Sequence, residues 1–288
     1  MKKFTIKLWA VLLLMLVSLQ TFATDNEYGL KDNIQDGVIL HCFDWTYAQI
    51  KEELPNIAAA GFSAVQTSPA HPREPVGAAW YMLYQPYDYK VGENGLGTKE
   101  GLTELCTEAH QYGVKIIVDV VANHTNGSLS YVASFWQDQS LYHDYQGGID
   151  YSNRWQVTHG RLGMWDLKTE DSRVQEKIKE YVAELKSCGV DGIRWDAAKH
   201  IGLPSEGDTF WQNVPDQTMY NYGEILDGTS GDDTVSEKVE VVSQTTGVQL
   251  HPVAGESSAK AMIYNLQGQR VDANYRGVVV CNGRKYVQ

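Results

Sequence analysis

The chain has 288 residues, 43% of them hydrophobic and 21% charged, with a formal net charge of −12. That length suits one large domain or two ordinary ones, and an acidic chain without basic clusters argues against a nucleic-acid partner. Four cysteines, Cys42, Cys106, Cys188 and Cys281, stand far apart with no CxxC pair, which argues against a disulfide framework or a cysteine zinc site; the first three lie among apolar residues and read as buried thiols.

The first residues, MKKFTIKLWAVLLLMLVSLQTFA, place lysines before an apolar stretch (Leu8 to Val17) and small residues before Thr24. That is the pattern of a cleavable export signal over residues 1–23, too short and wrongly flanked for a stable membrane span. The expected product is secreted or cell-surface, starts near Thr24, and has no membrane span once the signal is removed.

A strand, GVILHCF, opens the folded part. A helix, a glycine and a short apolar strand then follow three times. In WTYAQIKEELPNIAAAG, Ile50, Leu54, Ile57 and Ala58 recur at helical spacing, and Gly61 precedes FSAVQT. In TKEGLTELCTEAHQYG, Thr98 can cap, Leu102, Leu105 and Ala109 form the stripe, and Gly113 precedes VKIIVDVV. In DSRVQEKIKEYVAELKSCG, Asp171 can cap, Val174, Ile178, Val182 and Leu185 form the stripe, and Gly189 precedes VDGIRW. A fifth strand lies around YNYGEIL. Strands alternating with helices predict a parallel sheet with helical crossovers.

Two regions break the alternation. Residues 125–165 are rich in Tyr, Asp, Gly and Ser without helical periodicity, and read as an inserted small domain after the third strand. Residues 229–258 read as a polar linker. Residues 259–288 read as a short β tail, with turn signals at Gln267-Gly268 and Asn282-Gly283. The chain also carries 8 tryptophans and 17 tyrosines, many in loop-like segments, as expected where flat rings stack on a surface.

Parallel α/β folds bind ligands at the carboxyl ends of their strands. There the second strand offers Pro69, Ala70 and His71; the third Asp119, Asn123 and His124; the fourth Arg194, Asp196, Lys199 and His200; and the fifth Glu224. Arg194 and Asp196 are two apart and share one face of their strand. Asp196 and Glu224 at neighbouring strand ends are the pair that glycosidic cleavage requires, about 5–5.5 Å apart in a retaining enzyme. A nearby guanidinium lowers a carboxylate pKa, so Arg194 is expected to keep Asp196 ionised while Glu224 keeps its proton. An Arg–Asp pair on its own is commonly a structural ion pair; Glu224 and the DVVANH stretch tip the reading to catalysis. His71, His110, His143, His159 and His251 read as ordinary structural histidines, and Trp136, Trp155 and Trp211 as packing residues.

DVVANH (Asp119 to His124), GIRWDAAKH (Gly192 to His200), GEIL (Gly223 to Leu226) and WYMLYQPYDY (Trp80 to Tyr89) resemble, in order and spacing, the signatures of the α-amylase family, glycoside hydrolase family 13. The resemblance covers roughly residues 37–228. It implies a (β/α)8 barrel fold, Asp196 as nucleophile, Glu224 as acid/base, and Trp80, Tyr81, Tyr84, Gln85, His124, Arg194, Lys199 and His200 on the substrate side. It also implies a structural Ca²⁺ held by Asn123, Asp166 and the carbonyl of His200, an oxygen donor set that suits a hard cation. The implied substrate is an α-glucan of the starch or glycogen type, cleaved internally at α-1,4 bonds.

The family's fourth signature, a strand ending in His-Asp, has no counterpart. Asp227, Asp232, Asp233 and Asp272 lack an apolar strand and a neighbouring histidine. Without the insertion, the matching region holds about five of the βα units of a barrel that takes about 250 residues. The expected architecture is therefore a partial barrel within residues 24–228, with hydrolysis weakened by the truncation. The tail resembles a type IX secretion sorting tail, which would engage secretion machinery. Two other readings stand beside hydrolysis of starch: a non-catalytic starch-binding protein using Trp80, Tyr81 and Tyr84 as a platform, and a relative acting on α-1,6-linked or other short oligosaccharides.

Overall fold

The structure is a computed structural model. It describes residues 26–73 and 79–225, and the backbone of four short strands between 263 and 287. Residues 1–23, read as an export signal, residues 229–258, read as a linker, and the expected turns of the tail lie outside the described residues.

In chain order the main elements are β1 (Ile39–Cys42), α1 (Tyr47–Ala59), β2 (Ala64–Thr67), α2 (Lys99–Gln111), β3 (Lys115–Val121), β4 (His124–Thr125), α3 (Arg154–His159), β5 (Trp165–Asp166), α4 (Ser172–Ser187), β6 (Gly192–Asp196), α5 (Phe210–Asn213) and β7 (Tyr220–Gly223). One five-stranded sheet runs β1-β2-β3-β6-β7, with every neighbouring pair parallel. Chain order and sheet order agree, as in successive units of a (β/α)8 barrel, and the fold is a partial barrel of that kind. The sheet is curved: the hydroxyl of Tyr222 on β7 donates to Oε1 of Gln66 on β2 across the concave face.

Local chemistry accounts for the helices. Thr46 caps α1 in a reciprocal box with Gln49, Thr98 accepts from the amide of Gly101, and Asp171 accepts from that of Arg173. The glycines after the helices, Gly61, Gly113 and Gly189, have φ of 86°, 73° and 95°, the left-handed turn that leads the chain back to the sheet. Helix α1 continues through Pro55 despite the lost amide; Leu54 and Ile57 on either side are completely buried, each stabilising the fold by about 1.5–3 kcal/mol. The main core lies between the convex face of the sheet and these helices, with Ile50, Leu102, Leu105, Val118, Ile178 and Leu185 in one cluster. Gly192 is required on β6, because a Cβ there would stand 2.9 Å from the Tyr220 carbonyl oxygen.

Residues 125–165 leave and rejoin the barrel through the antiparallel pair β4–β5, His124 opposite Asp166 and Thr125 opposite Trp165. Helix α3, six residues long, is too short to have shown a periodic stripe. Cys42, Cys106 and Cys188 are buried free thiols, and Trp136 and Trp211 pack inside as expected. Trp155 does not. It is 53% exposed and stacks on the His159 ring at 4.7 Å, because α3 lies on the surface and turns it outward.

The tail forms a separate four-stranded sheet from β8 (Ile263–Asn265), β9 (Arg270–Val271), β10 (Val278–Cys281) and β11 (Arg284–Val287), in the order β11-β10-β8-β9. Its described strands pair antiparallel, β8 with β9 and with β10, and β10 with β11. Among the described residues no helix is long and apolar enough to cross a membrane.

Candidate active site

The register of the sheet assembles the site. Asp119 on β3 lies directly opposite Arg194 on β6, and Arg194 lies opposite Tyr222 on β7. Strand alternation puts Asp119, Arg194 and Asp196 on the concave face. Glu224 follows β7 directly, and its amide extends the pairing to the Trp195 carbonyl at 2.8 Å. One guanidinium then meets three carboxylates. Nη1 of Arg194 donates to Asp119 Oδ1 and Oδ2 at 2.8 and 2.7 Å and to Asp196 Oδ1 at 2.8 Å, while Nη2 lies 2.7 Å from Glu224 Oε1. The other oxygen of Glu224 accepts from the amide of Ala197 at 3.1 Å. Ala197, directly after Asp196, has φ +49°, a left-handed conformation costing a non-glycine residue about 1–3 kcal/mol and found where geometry serves a function.

The charges explain the proton balance. Burial pushes Asp119 and Asp196 above the ordinary carboxylate range, and Arg194 offsets this only in part. Asp196 reaches about 7, from burial first and the Asp119 charge second. Arg194 lowers the Asp196 pKa as expected, but burial and the Asp119 charge outweigh it. A single cation shared among three buried or half-buried carboxylates does not repay their desolvation.

A cleft of about 280 Å³ opens above this cluster, with Asp196, Glu224, Tyr84, His124, Lys199 and His200 on its walls. Tyr84 donates to Asp119 Oδ2 at 3.0 Å. His124 is buried, which lowers its pKa to about 4, so the ring is neutral and its Nε2 donates to the Tyr84 carbonyl at 3.0 Å. Lys199 lies over the Tyr151 ring at 4.8 Å. Arg194 forms the floor rather than the wall. Trp80 and Tyr81 are half-exposed, at 52% and 50%, on the turn that ends at Tyr84; Trp80 meets Tyr84 edge-on at 6.4 Å. Gln85 is turned to Asn126, accepting from its amide at 3.3 Å.

Of the residues implied for a cation, two meet: Asn123 Nδ2 donates to Asp166 Oδ1 at 3.1 Å, and both are fully buried. The His200 ring is tied to the Val157 carbonyl at 2.8 Å. Burial raises Asp166 to about 6 even against the pull of His143 and Asn123, so this carboxylate gains from a cation. An amide, a carboxylate and backbone carbonyls suit calcium chemically.

Four residues here escaped the sequence reading. Asp119 was only noted at its strand end, although its alternation with Arg194 was visible. Tyr151 and Arg154 lie in the insertion, where no local pattern marks them. Arg154 donates to the carbonyls of Lys199 and Ile201 and pairs with Glu206, clamping the insertion to the loop after β6. His143, read as ordinary, bridges Asp166 at 2.7 Å and Glu170 at 3.1 Å; these two carboxylates outweigh its burial and raise it to about 9.

A partial (β/α) barrel thus gathers two candidate catalytic carboxylates around one arginine at its strand ends. Comparison with known families matches residues 44–277 to the α-amylase catalytic domain. The chain belongs to the α-amylase family. An α-amylase of Clostridium acetobutylicum is 40% identical over 227 residues, covering 72% of this chain and 30% of that protein. One of Butyrivibrio fibrisolvens is 32% identical over 247 residues, covering 72% of this chain and 25% of that protein. Among solved structures, an α-amylase of Malbranchea cinnamomea has a TM-score of 0.61 at 25% identity, covering 73% of this chain and 52% of that one. The maltohexaose complex of α-amylase I from Eisenia fetida has a TM-score of 0.60 at 23% identity, covering 67% and 46%, a likeness of fold alone. The chain spans less than a third of these curated relatives and about half of the solved chains.

Proposed function

We propose that the protein is an exported α-amylase-type hydrolase that cleaves internal α-1,4-glucosidic bonds of starch- or glycogen-type glucans with retention of configuration. The single observation that carries this reading is the Arg194 guanidinium holding Asp196 and Glu224 together at the floor of the cleft. Glu224 delivers a proton to the glycosidic oxygen as that bond breaks, and Asp196 attacks the anomeric carbon to form a glycosyl-enzyme. Glu224, now a carboxylate, takes a proton from water, whose oxygen displaces Asp196 and releases the sugar. Arg194 stabilises Asp196 when it is expelled as a carboxylate, and Trp80, Tyr81 and Tyr84 offer faces for sugar rings. Residues 1–23 and the β tail serve export and the secretion machinery in this reading.

The test is release of reducing ends from soluble starch by the purified protein across pH. Asp196 must be ionised to attack, and its pKa is raised to about 7, so kcat/KM should fall as pH drops below about 7. An acid limb near 4, where an ordinary aspartate titrates, would show that burial does not raise Asp196; activity that survives Asp196→Asn would reject it as the nucleophile. Starch retention without hydrolysis would instead support the second reading, a non-catalytic glucan-binding protein, which the half-exposed Trp80 and Tyr81 favour.

The proposal includes a structural Ca²⁺ held by Asn123, Asp166 and the carbonyl of His200. When bound, the ion supplies fixed positive charge that ties the insertion to the barrel. Saturating calcium is expected to raise Tm over the EGTA-treated protein by about 5–10 °C, from roughly 2.7 kcal/mol at a hundredfold excess over Kd. Identical melting curves would remove calcium from the reading.

A further inference from the structure

We infer that His143, His159 and Glu170 form a second cation site, for a transition-metal ion of the zinc type, at the junction of the insertion and the barrel. One ligand atom from each of these residues falls within 4.8 Å of the others. The two imidazole rings are 4.1 Å apart, tilted by 34°, and His143 Nε2 already lies 3.1 Å from Glu170 Oε1. Two imidazoles and one carboxylate are borderline ligands, suited to Zn²⁺ rather than to calcium, and three protein ligands leave a fourth position for water.

The surroundings orient both rings as metal-bound histidines require. Nδ1 of His143 is held by the buried Asp166 carboxylate at 2.7 Å, the outer-shell partner that fixes the tautomer and presents Nε2 to a metal. The described contacts of His159 also use Nδ1, toward the Trp155 carbonyl at 3.1 Å and Thr158 Oγ1 at 2.9 Å, which leaves Nε2 for the ion. Tetrahedral Zn²⁺ with bonds near 2.0–2.1 Å holds its ligands roughly 3.3 Å apart. His143 Nε2 and Glu170 Oε1 already stand at that spacing, so the contraction needed falls on the pairs that involve His159, on the partly exposed helix α3. Ordinary ion pairing accounts for His143 with Asp166 and Glu170. It does not account for the second imidazole, whose ring centre lies 4.1 Å from the first. His143 and His159 belong to the insertion and Glu170 to the turn before α4, so an ion here would staple the two together independently of glucan cleavage.

The test uses the full purified chain, stripped with chelator and then dialysed against limiting Zn²⁺ with calcium in excess. One zinc per chain is expected by elemental analysis, and Co²⁺ in its place should show the intense visible absorption of tetrahedral coordination. His159→Gln and Glu170→Gln, both at partly exposed positions, should keep the native circular dichroism and calcium content yet weaken zinc binding at least tenfold by calorimetry. The inference is overturned if no zinc is retained, or if both folded variants hold it as tightly as the parent.

Discussion

Glu224→Gln is expected to lower starch hydrolysis by about 10²–10⁴-fold, equivalent to roughly 3–5.5 kcal/mol of barrier, while starch binding stays within a few-fold of the parent. Glutamine has the shape of glutamate but no proton to give to a leaving oxygen. Glu224 now accepts from two donors, the Arg194 guanidinium at 2.7 Å and the Ala197 amide at 3.1 Å. A primary amide has one oxygen for those two donors, so one loses its partner, a local cost well below that of the missing acid. Binding depends on the aromatic faces at Trp80, Tyr81 and Tyr84, which the substitution leaves in place. Affinity electrophoresis in starch gels, run beside a reducing-end assay, separates the two effects. A loss under tenfold would take the acid/base role away from Glu224, and a parallel loss of binding would point to a damaged cleft.

Arg194→Met should cost about 3–5 kcal/mol of stability, because it leaves buried carboxylates without their cation. Asp119 is fully buried, and among the described residues Tyr84 would be its remaining donor. At about 2–4 °C per kcal/mol for a fold of this size, Tm should drop by roughly 6–20 °C. The pH dependence is diagnostic. Burial already raises Asp119 and Asp196 above their unfolded values, and Arg194 is what pulls them down. Without it their folded pKa values rise further, so the folded state binds more protons than the unfolded one and stability falls as pH increases above the ordinary carboxylate range. The gap in Tm between parent and variant should therefore widen from pH 5 to pH 8. A gap of equal size at both would mean that lost packing of the arginine stem, not unpaired charge, sets the cost.

Much of this was legible in the chain because it is encoded locally. The stripes through Leu102 and Ile178, the caps Thr98 and Asp171, and the glycines at 61, 113 and 189 each act within a few residues, and all recur in the structure. Arg194 and Asp196 share a face because strand alternation has period two. The insertion gave no such signal. It is held by single turns and long-range bonds, so helix α3, the Arg154 clamp and the outward-facing Trp155 could not be read from periodicity.

By itself, then, the sequence determined the succession of βα units, the position of the insertion and the strand ends that carry charge, since propensity, capping and alternation act over one or two turns. Only the tertiary structure decided that Asp119, 75 residues from Arg194 in the chain, shares its guanidinium with Asp196 and Glu224. It alone decided that burial there lifts Asp196 toward neutrality and that His143 and His159 meet across the insertion. Those outcomes depend on sheet register and on how much water the packed elements exclude, and neither quantity exists until distant segments have docked.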